Sequence, residues 1–237
     1  EYYNETACLV ESDEEPPHDL CEDAIDICLI AANFLHSMPV DEIHPMRKIV
    51  IDGSNTTGFQ RTAIIANGGE ISVGGKSIGI QTICLEEDAA RKIADDDKNN
   101  MRIYRLDRLG IPLIEVATDP DIRSPSEAQE VALAIGLLLR STGRVKRGLG
   151  TIRQDVNVSI RNGAIIEIKG FQQLDMLSTL IELEALRQAK LLEIRDILKT
   201  RGITQEDINQ KSIDITDVFT KTESKVIRNA ITNDGVV

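Results

Sequence analysis

Two short stretches of this chain hold the residues best suited to chemistry: Leu85-Glu86-Glu87-Asp88-Ala89 and Gly110-Ile111-Pro112-Leu113-Ile114-Glu115-Val116. Their acids lie inside or at the ends of apolar runs that read as strands, not on a solvated run of charge. A carboxylate drawn partly out of water is costly unless a cation or hydrogen bonds compensate it. Several such acids meeting in one place imply a hard cation held by oxygen ligands, Mg2+ in the first instance, and so an enzyme that handles phosphates. For Glu86, Glu87 and Asp88 alone a plainer reading stands beside this one: a strand end and helix start, where acids suit the helix dipole. Glu115 shifts the balance. Flanked by Leu113, Ile114 and Val116, it is either on a wet face or paired.

A second polar group comes from a hairpin over Thr151 to Lys169. Ile152, Val156, Val158 and Ile160 alternate with Arg153, Asp155, Asn157 and Ser159, and Ala164, Ile166 and Ile168 alternate with Ile165, Glu167 and Lys169. Keeping the apolar sets on one face requires a three-residue loop, Arg161-Asn162-Gly163, with Gly163 left-handed. Asp155 then faces Lys169, and Asn157 faces Glu167. Antiparallel sheets often leave one side in water, but Asn and Asp are poor strand formers, and two in mid-strand point to a site.

The turn Gly53-Ser54-Asn55-Thr56-Thr57-Gly58 lacks Gly-Lys-Ser/Thr and is no P-loop; alone it reads as a polar turn. Arg47 and Lys48, on the strand before it, are cationic candidates for nucleotide phosphates. Arg140, Arg144, Lys146, Arg147 and Arg153, interleaved with Gly143, Gly148 and Gly150, form one basic stretch. It either meets a phosphate backbone or polyphosphate, or is a cationic helix end favoured by the dipole.

The elements that must position these groups follow from pattern. A strand is expected over Ala7 to Glu11, and a helix over Leu20 to His36, closed by Pro39. Strands are expected over Arg47 to Ile51, Thr62 to Ala66, Glu70 to Val73, Ser77 to Glu86 and Met101 to Leu106. Asn67-Gly68-Gly69 reads as a hairpin turn, and Asp95 to Asn100 as a solvated loop. Ser124-Pro125-Ser126-Glu127 is a capping box opening a helix to about Ser141. Asp175 to Thr200 is a second long helix, and a new element begins near Ile213.

Totals set the outer limits. The 237 residues suffice for one sizeable core and part of a second domain. With no Trp, the core must rest on Ile, Leu, Val and Ala. No apolar run is long enough to cross a bilayer. Cys8, Cys21, Cys28 and Cys84 have no zinc spacing, and scattered thiols suit a reducing cytoplasm. A net charge of -12 argues against tight non-specific nucleic-acid binding, which needs a positive field, while leaving room for local patches that touch RNA. Starting at Glu1 without Met and stopping at Val237 in mid-pattern, the chain reads as a piece of something longer.

Several blocks are more specific. Asp52-Gly53-Ser54-Asn55-Thr56-Thr57-Gly58-Phe59-Gln60-Arg61-Thr62, Cys84-Leu85-Glu86-Glu87-Asp88-Ala89-Ala90-Arg91 and Leu106-Asp107-Arg108-Leu109-Gly110-Ile111-Pro112-Leu113-Ile114-Glu115 resemble the E-type subunit family of the archaeal glutamyl-tRNA(Gln) amidotransferases. So do Pro120 to Pro125, Arg147 to Ser159 and Glu167-Ile168-Lys169-Gly170. The acidic, Pro-Asp-Ile-Arg-Ser-Pro and Asp-Val-Asn-Val-Ser blocks are also similar to the related B-type subunit of the bacterial Asp/Glu-tRNA amidotransferases. The resemblance implies an α+β fold, an antiparallel-sheet cradle similar to the glutamine synthetase and guanido kinase fold, over 1–210. From 211–237, Ile213-Asp214-Ile215-Thr216-Asp217-Val218-Phe219 resembles the start of an aspartyl-tRNA-synthetase-like insert domain.

The same resemblance implies ATP-dependent phosphorylation of the side-chain carboxylate of Glu on Glu-tRNA(Gln), then displacement of phosphate by ammonia from an asparaginase-like amidase partner, the D-type subunit of the same complex. It implies ATP and Mg2+, a cytoplasmic hetero-oligomer and no membrane. Glu87 and Glu115 look like Mg2+ ligands with Glu86 adjacent. Lys48 matches a lysine near the phosphates or activated carboxylate, and Asp155, Glu167 and Lys169 complete the polar platform. Arg47, Ser54, Asn55 and Thr56 are the nucleotide-binding candidates. The family's Glu-x-His segment, a source of further metal ligands, precedes this chain, and its tRNA-gripping tail regions follow it, so this piece alone is expected to bind metal and tRNA poorly. Two other readings are a free-standing carboxylate-amine ligase of glutamine synthetase type and a non-catalytic scaffold of a tRNA complex.

Overall fold

The helix that opens the fold runs from Glu22 to Phe34 (α1), shorter at both ends than its apolar spacing suggests. Leu35 follows it as C-cap, and His36 takes the left-handed conformation with φ 53° that reverses the chain. In this computed structural model the described residues are 18–50, 59–96, 99–105, 107–148, 150–204, 207 and 214–235. The expected strand at Ala7 to Glu11, the turn bearing Ser54, Asn55 and Thr56, and the stretch around Ile213 lie outside them, wholly or in part.

After α1 come the short β1 (Met38–Pro39), β2 (Met46–Ile49), β3 (Phe59–Asn67), β4 (Glu70–Val73) and β5 (Lys76–Glu87). Next are β6 (Arg91–Asp96), β7 (Met101–Arg105) and β8 (Pro112–Thr118), then helix α2 (Pro125–Ser141). β9 (Gln154–Val158) and β10 (Ile166–Phe171) precede α3 (Leu177–Thr200), and α4 (Lys225–Thr232) ends the described chain. Every strand pairing among the described residues is antiparallel. With its helices set apart from antiparallel sheets, the chain is α+β.

The central strand is β5, flanked by β3 and β4 on one edge and by β8 on the other. The hairpin expected at Asn67-Gly68-Gly69 does not form. Asn67 pairs with Thr82 and Glu70 with Gly79, so β4 simply continues β3 along the same edge of β5 in an unbroken register. The Gly68 N–H donates to Gln81 O at 3.1 Å and the Ile80 N–H to Gly69 O at 3.0 Å, carrying the ladder across the gap. The reversal comes instead at Gly74-Gly75, with φ 60° and 82° between the paired Val73 and Lys76, the double positive φ of a tight two-residue hairpin. Gly69 serves a different need. A Cβ there would lie 2.4 Å from Leu35 O and 2.5 Å from Ser37 Oγ, so only glycine lets the sheet meet the end of α1.

Alternation along the strands splits the sheet into two faces. One packs on α1: Ala63, Ile65 and Leu85 close around Leu20, Ala24 and Cys28. Ala66, Ile80 and Ile83 do the same around Ala32 and Leu35. As composition demands, this core is aliphatic. The other face of β2, β3, β5 and β8 carries Lys48, Gln60, Thr62, Glu86 and Glu115.

The capping box opens α2 as expected. Ser124 Oγ accepts from the Glu127 N–H at 3.2 Å, and the Glu127 carboxylate accepts from the Arg123 N–H at 2.6 Å. Asp95 and Asp96, expected in a loop, instead end β6, which pairs with β7. A 3-10 turn at Leu174–Met176 precedes α3, and another spans Thr216–Phe219.

The chain divides into two compact units. The first holds residues up to Ser159 and Ile165–Ala185; the second holds Ile160–Ala164 and everything from Leu186. Within the first, the β9–β10 register is the expected one: Asn157 faces Glu167 and Val156 faces Ile168. A bulge then places Lys169 and Gly170 together opposite Asp155. Within the second, the loop differs from expectation. Asn162, with φ 66°, takes the left-handed position assigned to Gly163. Gly163 is required for space instead, since its Cβ would lie 2.5 Å from Gln188 Oε1 and 2.9 Å from Ile160 Cγ1. Asn tolerates the left-handed region better than other side chains do.

Candidate active site

Lys48 faces Gln60 across β2 and β3, Thr62 faces Glu86 across β3 and β5, and Cys84 faces Glu115 across β5 and β8. Three strand pairs therefore deliver Lys48, Gln60, Glu86 and Glu115 to the face turned away from α1. Lys48 Nζ lies 2.6 Å from Glu86 Oε1, and Gln60 Nε2 donates to Glu86 Oε2 at 3.2 Å and to Glu87 O at 3.1 Å. Glu86 is 7% exposed, so this carboxylate is held almost out of water by one cation and one amide.

Electrostatics tie the group together. Burial pushes the Glu115 carboxyl up, the charge of Glu86 and a hydrogen bond to it add to the rise, and Lys48 opposes it. Asp155 contributes further repulsion at Glu115, so the β9 carboxylate lies within electrostatic reach of the sheet. Burial tends to lower the Lys48 ammonium, yet the hydrogen bond and charge of Glu86, with Glu115, outweigh it and hold the lysine above its ordinary value. Glu86 is buried while Glu115 and Lys48 remain exposed, and with two acids to one lysine the group favours a further cation.

That donor set fits Mg2+, which is commonly held through one or two carboxylates together with substrate phosphates. Among the described residues no group of three or more His, Cys, Asp or Glu side chains forms a metal-holding cluster. The fit rests on two hard-oxygen ligands, Glu86 and Glu115, whose mutual repulsion a divalent ion removes.

Glu87 is not on the face of Glu115. The alternation that points Leu85 at α1 points Glu87 the same way, where Arg61 Nη1 lies 3.1 Å from Glu87 Oε1. Burial raises the Glu87 carboxyl and Arg61 lowers it in part. Arg61 also donates to the carbonyls of His18 and Asp19, tying the strand to the chain entering α1. Arg47 neighbours Lys48 on β2 and faces Arg61 in register, so it belongs to that same side. Asp155 accepts from the Gly170 N–H at 2.6 Å, and Glu167 and Lys169 pair with each other at 3.5 Å, all three exposed.

Two partners escaped the sequence reading. Gln60 bridges Glu86 to the end of β5, and its only sequence signal is a polar residue at strand spacing from Thr62. Arg108 donates from Nε at 2.8 Å to Asp88 Oδ2. With the Asp88 N–H bonded to Ile111 O and the Gly110 N–H to Asp88 O, it staples the two ends of the β6–β7 excursion beside the site.

Known proteins match this chain closely. The family model described as the GatB/GatE catalytic domain matches residues 4–229. The chain is similar to the protein of Archaeoglobus fulgidus named as the E subunit of glutamyl-tRNA(Gln) amidotransferase, 57% identical over 96% of this chain and 36% of the relative. Proteins of the same name from Aeropyrum pernix, at 56% over 98% of this chain and 36% of the relative, and Pyrococcus furiosus, at 55% over 99% and 37%, match equally well. The chain thus spans about a third of the length of these relatives. Across most of its length, and with more than half of its aligned residues unchanged from these archaeal proteins, the chain belongs to the GatB/GatE catalytic-domain family.

Proposed function

We propose that this chain is the catalytic domain of an ATP-dependent amidotransferase that converts Glu to Gln on misacylated Glu-tRNA(Gln). The observation that carries the reading is the Lys48–Glu86–Glu115 group, gathered by three strand pairings on one face of the sheet in a chain of this family. A carboxylate resists ammonia because oxide is a hopeless leaving group. Transferring the γ-phosphoryl of ATP to a side-chain oxygen forms one O–P bond, breaks another and yields ADP. Ammonia then attacks the acyl carbon, the C–O bond to phosphate breaks, inorganic phosphate leaves, and the nitrogen sheds a proton.

Phosphoryl transfer is mostly positioning and charge neutralisation. Lys48 is placed to offset negative charge on the phosphoryl oxygens, and Gln60 holds Glu86 in position for it. Glu86 and Glu115 are the residues that would hold Mg2+, which supplies charge neutralisation at the phosphates when bound. Asp155 on β9, with Glu167 and Lys169 beside it, borders the site and is suited to orienting the aminoacyl group. Glu87 supports the site from behind through Arg61. Ser54, Asn55 and Thr56, on the segment joining β2 to β3, are assigned with Arg47 to the nucleotide on the resemblance alone.

The naming of the relatives as one lettered subunit of an amidotransferase supports partner subunits; that one of them is an amidase supplying ammonia, in a cytoplasmic hetero-oligomer, rests on the resemblance. Among the described residues no helix is long and apolar enough to cross a membrane. The cradle likeness to glutamine synthetase, and the insert domain from residue 211, rest on the resemblance. The test is amidation by the full-length protein with ATP and ammonium. Conversion of Glu-tRNA(Gln) to Gln-tRNA(Gln) is expected. ATP cleavage stimulated by free glutamate and indifferent to the aminoacyl-tRNA would point to a small-substrate ligase instead.

A further inference from the structure

We infer that the loop between α2 and β9 is a docking surface for the phosphodiester backbone of the RNA substrate, seated next to the reacting end. The inference rests on the proposed function and deepens it by assigning a surface to the nucleic acid. Between Arg140 and Arg153 the sequence places five of its 27 Lys and Arg and no Asp or Glu, in a chain with 39 acids. All five cations, Arg140, Arg144, Lys146, Arg147 and Arg153, are exposed. Arg144 alone has a carboxylate near it among the described residues, Asp23 at 3.4 Å, and that acid is itself on the open surface.

A helix end does not account for this charge. The dipole acts over the last turn only, and of the five just Arg140 lies there. Arg144, Lys146 and Arg147 lie beyond the helix, where they gain nothing from it and repel one another. Their frame is nevertheless built. The Thr142 hydroxyl donates to Leu139 O at 2.7 Å, the Gly143 N–H to Arg140 O at 3.1 Å and the Thr151 hydroxyl to Gly148 O at 2.8 Å. Gly143, Gly148 and Gly150, at φ 69°, 119° and 80°, take left-handed turns that other side chains adopt only rarely. Mutually repelling cations presented on a hydrogen-bonded frame are a standing cost, which an anion offsets.

Position identifies the anion. Arg153 directly precedes β9, and Asp155, two residues on, is the acid assigned to orienting the aminoacyl group. A glutamyl group at Lys48, Glu86 and Glu115 is esterified to the end of an RNA strand, so successive phosphates must leave the site along a neighbouring surface. With a net charge of -12, this chain repels such a strand on average, and the loop supplies a local positive field. Cations that neutralise phosphates set the salt dependence of binding, with a slope of about 0.7 to 0.9 per phosphate.

The test uses the full-length protein together with its amidase partner. KM and kcat for amidation of Glu-tRNA(Gln) with ammonium are measured from about 50 to about 200 mM salt, the range over which phosphate contacts weaken most visibly. In the triple variant Arg144→Gln/Lys146→Gln/Arg147→Gln, KM should rise roughly tenfold with kcat unchanged, and the slope of log KM against log salt should become shallower by about 2 to 3. Arg144→Lys/Arg147→Lys, which keeps the charge, should retain the wild-type slope. A triple variant with wild-type KM and slope overturns the inference, as does a fall in kcat with the slope unchanged, the mark of a merely repacked turn. Absence of wild-type amidation defeats the proposed function and this inference together; amidation that the triple variant matches defeats this inference alone.

Discussion

At the scale of single residues, what decides the chemistry is which acids share a face. Glu86→Gln and Glu115→Gln should each lower kcat/KM for amidation by about 10²- to 10³-fold, the usual cost of removing one charge-stabilising group from a site. Lys48→Met should do likewise. Glu87→Gln sits behind the sheet and should act mainly on stability, with a smaller effect on rate. Stability versus pH reports on the coupling of Glu115 to Glu86. Because its folded pKa is raised, its contribution to stability is present below the ordinary carboxylate range and is lost as pH rises through the folded value. Glu115→Gln abolishes that loss, so its melting temperature relative to wild type should climb as pH rises from about 4 towards 8. A constant difference across that range would mean that Glu115 is not desolvated against Glu86. Saturating Mg2+ with ATP should shrink the difference, since a bound cation favours the ionised acid.

At the scale of elements, glycines separate backbone demand from space. Gly69→Ala meets both a φ of 107° and a backbone carbonyl 2.4 Å from the new Cβ, and should cost about 2 to 4 kcal/mol in denaturant unfolding. Asn162→Gly should be nearly neutral because the left-handed position accepts glycine, whereas Gly163→Ala should destabilise by crowding Gln188. Ser124→Ala should cost about 1 kcal/mol through the lost cap. These elements also show what the sequence made legible. The capping box, the alternation of Asp155 and Asn157 with apolar neighbours, and the Asn157–Glu167 register were readable because each is set by local pattern. The turn at Asn67-Gly68-Gly69 was misread because Gly-Gly there and Gly-Gly at 74 and 75 look alike locally. Only the approach of the α1 end to Gly69 and the unbroken pairing of β3 and β4 with β5 distinguish them. The facing of Glu86 rather than Glu87 towards Glu115 was hidden for a similar reason. In a run of three acids, composition does not reveal which one the strand parity turns towards the neighbouring strand.

At the scale of the whole molecule, an acidic body carries a small basic loop beside a site with unneutralised carboxylates. On the proposed reading each feature has a ligand of opposite sign: a divalent cation with nucleotide at the sheet, and an RNA backbone at the loop. The fold supplies the juxtaposition by leading α2 through that loop into β9. On the proposed reading this site activates a glutamyl carboxylate by phosphorylation before amidation. That activation is tested most directly with Glu-tRNA(Gln) whose side-chain carboxylate carries oxygen-18, incubated with full-length protein, ATP and ammonium. The account predicts one labelled oxygen in each inorganic phosphate released with Gln-tRNA(Gln), and loss of both products in Glu115→Gln. Amidation that releases unlabelled phosphate, or that proceeds at the wild-type rate in Glu115→Gln, would contradict it.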